Sequence, residues 1–138
     1  NAGQVRRVAN VYGLEHVQVS SGNHEVPTAT VRLTSPDGSA TTDAATGTGP
    51  VDAVCQAIDR GVGCAGKLVD FNVQLVSEGL DSIGTVTIRI ESDGRTFSGR
   101  GASTDVIVAS AKAYLSAVNR MLAADEEANL PAVGTTPD

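Results

Sequence analysis

At 138 residues the chain is of single-domain size, long enough to bury an apolar core without disulfides or a metal. A formal net charge of -6 and a pI near 4.7, with acidic residues spread along the chain and no cluster of Lys or Arg, exclude the phosphate-neutralising surface of a nucleic-acid binder. No stretch approaches the roughly 18 to 20 apolar residues of a membrane span, and no signal peptide opens the sequence, so membrane partners are not expected and a cytoplasmic protein is.

Asn1-Ala2 reads as a cloning scar, and residues 1–13 as scar and linker. From Leu14 to Ser21 the chain alternates, with Val17 and Val19 on one face, which predicts a half-buried strand. Ser21 to His24 is turn chemistry. Thr28 to Thr34 sets Ala29, Val31 and Leu33 against polar neighbours as a second strand, and Pro36-Asp37-Gly38 turns it into a third, Ala40 to Thr46. Val51, Val54, Cys55 and Ile58 then recur at helical spacing. Pro50 suits the first turn of that helix, Asp52 complements its dipole, and Gly61 and Gly63 close it.

The same order follows again. Strands are expected near Lys67 to Val76, Gly84 to Glu91 and Thr96 to Gly101, with a turn at Ser92-Asp93-Gly94, and a helix runs from Ser103-Thr104-Asp105 to about Leu122. Residues 123–138 carry Pro, Gly and small polar residues and read as a disordered tail.

The repetition is also literal. Thr30 to Leu33, Asp37-Gly38 and Gly47-Thr48-Gly49 return as Thr87 to Ile90, Asp93-Gly94 and Gly99-Arg100-Gly101, and Val17 matches Val73, at an offset of roughly 52 to 57 residues. Two copies of one unit that cannot each bury an apolar face pack on one another. The expected fold is α+β: two βββα units, about 14–63 and 66–122, related by a pseudo-two-fold within one domain spanning 14–122, with helices on one face of antiparallel sheets. Ala109, Ala111, Ala113 and Ala117 keep the second helix narrow enough for close packing.

Catalytic chemistry is poorly represented. Cys55 and Cys64 lack zinc spacing and read as small apolar residues. His16 and His24 stand in a strand and its turn with no nucleophile motif, and the carboxylates are dispersed over turns and helix starts. Arg32 and Arg89, at matched strand positions, and Lys112 on the second helix read as solvated charges. Gly47-x-Gly49 and Gly99-x-Gly101 are each placed between a strand and a helix start. They either permit a tight turn or present backbone N–H groups to an anion such as an amino-acid carboxylate.

Four segments carry a family likeness: Gly47 to Ala53 (GTGPVDA), Leu68 to Val73 (LVDFNV), Gly84 to Ile90 (GTVTIRI) and Gly99 to Leu115 (GRGASTDVIVASAKAYL). From Leu14 to Leu122 the chain resembles the C-terminal regulatory domain of 2-isopropylmalate synthase. The resemblance implies an allosteric, homodimeric domain that binds L-leucine. It also implies a separate (β/α)8 barrel of the same polypeptide, using a divalent metal to condense acetyl-CoA with 2-oxoisovalerate. Motifs of that barrel are absent from these residues, so no cofactor and no synthase activity are expected of them alone. The effector residues implied are Gly47, Gly49, Val51, Leu68, Phe71, Leu75, Ser82, Gly84, Ala102 and Thr104, with Asp70 or exposed carbonyls for the ammonium group. Phe71 stands where many members have Tyr, and the turn from Gly79 to Gly84 (GLDSIG) departs from the common GTDALG. The alternatives are the isoleucine-sensing domain of citramalate synthase, and a structural dimerisation domain without an effector.

Overall fold

A computed structural model describes residues 11–22, 25–78 and 81–128. The expected linker before Val11, the turn residues Asn23 and His24, Gly79-Leu80 and the tail from Asn129 lie outside them. Strands β1 (Gly13–Gly22), β2 (Glu25–Thr34) and β3 (Ala40–Thr46) precede helix α1 (Pro50–Val62). Strands β4 (Lys67–Glu78), β5 (Asp81–Ser92) and β6 (Arg95–Ser103) precede helix α2 (Val106–Ala128). Each trio forms its own antiparallel sheet, in the orders β1-β2-β3 and β4-β5-β6. The α+β fold with two βββα units is therefore present as expected.

Local chemistry explains the boundaries. Gly38 and Gly94 take positive φ in the two hairpin turns, where a side chain would be strained. Gly63 does the same at the C-cap of α1. Asp105 caps α2 by accepting the Ile107 N–H at 2.8 Å. At α1, Asp52 reaches back to accept the Thr48 N–H at 2.9 Å. The expected tail at 123–138 is corrected in its first part: α2 continues to Ala128, because Ala123, Ala124, Glu126 and Glu127 are strong helix formers with no breaker among them.

The core lies between helices and sheets. Val31 and Leu33 of β2, Ile88 and Ile90 of β5, Ile58 of α1 and Val118 of α2 are fully buried. α1 crosses β2 and β3, α2 crosses β5 and β6, and the helices touch each other. Placing Gly99 and Gly101 at a strand-to-helix turn is corrected: both sit inside β6. A Cβ on Gly101 would lie 2.5 Å from the Ala109 carbonyl oxygen and 2.8 Å from the Ala113 nitrogen, so these glycines let α2 rest on the strand backbone. The register gives their counterparts in the first unit. Gly99 pairs with Ile88 as Asp43 pairs with Val31, so Gly99 corresponds to Asp43 and not to Gly47. Contact in the first unit uses a helix glycine instead: a Cβ on Gly61 would meet Leu33 Cδ1 at 2.8 Å.

The two units differ in one respect that matters for function. α2 reaches across to β1, whereas α1 stands clear of the equivalent strand β4. The face of β4 that continues the core face of β5 carries Leu68, Phe71, Val73 and Leu75, which are 39 to 66% exposed.

Candidate functional site

Between α1 and β4 this separation leaves a cleft of about 380 Å³. Val51, Asp52, Cys55, Gln56 and Asp59 follow helical spacing and form one wall. Gly66, Leu68 and Phe71 form the other, and Tyr114 of α2, 2% exposed, closes the floor. Tyr114 donates its hydroxyl to Asp59 Oδ1 at 2.6 Å, tying the helices together beneath the cleft. No Lys, Arg or His is among these lining residues. The cleft is apolar with an acidic rim, which suits a ligand with an apolar side chain and a cationic group.

Protonation follows from the burial. The Asp59 carboxyl is pushed up to about 6, first by desolvation and then by the charge of Asp52, with the Tyr114 hydrogen bond pulling the other way. Desolvation, then Asp59 and Asp52, pushes the Cys55 thiol up to about 12, which leaves it protonated and unsuited to nucleophilic chemistry. Among the described residues no group of three or more His, Cys, Asp or Glu side chains is placed to hold a metal.

A carboxyl whose folded pKa is raised stabilises the fold when protonated, and that contribution is lost as pH rises through about 6. Asp59→Asn, a neutral stand-in for the protonated acid, is therefore expected to gain on the wild type as pH rises. The difference in Tm, variant minus wild type, grows between pH 4.5 and pH 7.5 in paired thermal melts. An equal difference at both values contradicts the assignment.

The residues named from sequence fall into three groups. Val51, Leu68 and Phe71 meet in the cleft. Gly47 and Gly49 lie at the head of α1. There a Cβ on Gly47 would lie 2.5 Å from the Ala53 nitrogen, whereas Gly49, at φ -160°, has open space around it. Leu75 and Gly84 pair across β4 and β5 beside the start of α2, with Val106 Cγ2 3.2 Å from where a Gly84 Cβ would sit. Ser82 shares strand β5 with Gly84 and lies 3.1 Å, Oγ to Oγ, from Ser77 of β4.

Ala102 is opposite Thr85, and Thr104 is exposed in the turn before α2, both outside the cleft lining. Asp70 is not brought to the cleft. A β-bulge between Leu68 and Asp70 sets it opposite Arg89, on the face away from Phe71. Asp52, Cys55, Gln56, Asp59 and Tyr114 were not anticipated at the site. The available signal was the seven-residue spacing of Asp52 and Asp59, two turns apart on the helix face that also carries Cys55.

Fold and cleft together define an α+β module of two βββα repeats with a cleft between α1 and β4. The chain belongs to the LeuA allosteric (dimerisation) domain family, whose model matches residues 2–122. Its relatives are 2-isopropylmalate synthases. That of Gloeobacter violaceus is 56% identical over 118 residues, which is 86% of this chain and 22% of the relative. That of Microcystis aeruginosa is 55% identical over the same coverage, and that of Trichodesmium erythraeum 52% over 132 residues, 93% of this chain and 24% of the relative. The chain thus spans under a quarter of the length of these curated relatives. Among the described residues no helix is long and apolar enough to cross a membrane.

Proposed function

We propose that this chain is the feedback-regulatory part of a cytoplasmic 2-isopropylmalate synthase, that it binds L-leucine in the α1–β4 cleft, and that it pairs with a second copy through β4. The carrying observation is the asymmetry of the repeats: both helices reach β1, whereas β4 is left open beside a cleft with apolar walls. Val51, Leu68 and Phe71 would surround the isobutyl group. The N–H groups at the head of α1, beside Gly49, suit the carboxylate. Exposed backbone carbonyls or Asp52, on the same first turn, suit the ammonium group. Inhibition follows only if leucine favours one of two conformations of the whole enzyme. Condensation of acetyl-CoA with 2-oxoisovalerate at a divalent metal belongs, in this reading, to the barrel and not to these residues.

Gly49→Val tests the placement. Nothing lies within 4 Å of the new Cβ and the backbone is already extended, so the domain stays folded, with at most a small loss at the helix cap. Calorimetry should show L-leucine binding lost. Unchanged binding moves the carboxylate away from the head of α1.

A further inference from the structure

The repeat predicts a counterpart to the α1–β4 cleft, and the register locates it. Leu14 faces Leu33 as Leu68 faces Ile90, so Leu14 corresponds to Leu68. Counting from the helix starts, Gln56 corresponds to Lys112 and Asp59 to Leu115. At that place a groove of about 480 Å³ runs between α2 and the chain entering β1, with Leu14, Leu115, Lys112, Ser116 and Arg120 along it. Tyr12 forms its rim and is held by two bonds to Asn119, its N–H donating to Oδ1 at 2.9 Å and its carbonyl accepting from Nδ2 at 2.9 Å.

The charge is inverted relative to the cleft. Asp59 is replaced by an apolar residue and Gln56 by a cation, and among the described residues no carboxylate lines the groove. Lys112, Ser116 and Arg120 are four residues apart on one stripe of α2, and the two long side chains can converge over the Ser116 hydroxyl. Ser116 and Arg120 also border a second depression of about 370 Å³ on the β6 side, where Arg100 adds a second guanidinium, again with no acid among the described lining residues. Lys112 makes one hydrogen bond among the described residues, a long 3.4 Å bond to the Ala102 carbonyl. Glu15, the acid that shares a shallow pocket with it, is already paired with Arg32 at 3.0 Å.

We infer that this groove is a second ligand site, for a short branched carboxylate without an ammonium group, its carboxylate over Ser116 between Lys112 and Arg120 and its tail on Leu14 and Leu115. The choice of skeleton rests on the reading of the α1–β4 cleft as a leucine site; the site itself does not. A chain with both would sense an amino acid at one repeat and its amine-free analogue at the other.

The probe is 4-methylpentanoate, the leucine skeleton without the amine, titrated by calorimetry into the full chain beside L-leucine. Saturable binding is expected, weakened about tenfold or more in Lys112→Met/Arg120→Gln, while L-leucine binding by the same variant stays at the wild-type value. No saturation with the probe, an unaltered affinity in the double variant, or competitive displacement by L-leucine overturns the inference. Absence of leucine binding by the wild type, with probe binding present and sensitive to the variant, instead overturns the leucine reading and leaves this site standing.

Discussion

Gly99→Val is expected to remove the folded state. The added Cβ overlaps the Ala113 carbonyl oxygen and the Ala117 amide nitrogen, both backbone atoms of α2, so no rotamer relieves the clash. Either α2 lifts from β6, opening the layer that holds Ala109, Ala113 and Ala117, or the strand distorts. Overpacking against backbone falls in the exceptional class above about 4 kcal/mol, against a total stability of roughly 5 to 15. Thermal melts followed by circular dichroism should show a Tm lower by more than about 10 °C, or no cooperative transition. Ser98→Val, at the adjacent exposed strand position, should shift the Tm by no more than a few degrees. A Gly99→Val melt like the wild type would contradict the close helix-to-strand packing.

The second large effect is on assembly. Leu75 is 66% exposed on the open face of β4, so Leu75→Asp leaves the folded protomer intact. In the proposed dimer the same position is covered, and a buried, unpaired carboxylate costs several kcal/mol, which is two or more orders of magnitude in the dissociation constant. Sedimentation velocity should find a dimer for the wild type and a monomer for the variant at the same concentration. A variant that remains a dimer would place the interface elsewhere.

The architecture was legible because the apolar pattern repeats with the right periods. Alternation through Val31 and Leu33, and again through Ile88 and Ile90, marks the two central strands, and helical spacing marks α1. Equating Gly47-x-Gly49 with Gly99-x-Gly101 failed for a physical reason. A glycine needed for a turn and a glycine needed to admit a helix look the same in sequence. Matching Val17 to Val73 failed similarly: the register makes Phe71 the counterpart of Val17, since Val17 faces Val31 and Phe71 faces Ile88.

The site was legible only in part. Leu68 and Phe71 are three residues apart, so strict alternation assigns them to opposite faces, and the bulge after Leu68 brings them together while turning Asp70 outward. Asp59 and Tyr114 come from different repeats. Their 2.6 Å contact depends on how the two helices dock, which neither repeat encodes alone.

The central claim is that the α1–β4 cleft takes leucine. The most direct test is calorimetric titration of this chain with L-leucine, L-isoleucine and L-valine. Saturable binding that prefers leucine, lost in Gly49→Val, is the predicted result. Preference for isoleucine would place the chain with the citramalate branch, and no heat from any of the three would contradict the claim and leave a dimerisation domain without an effector.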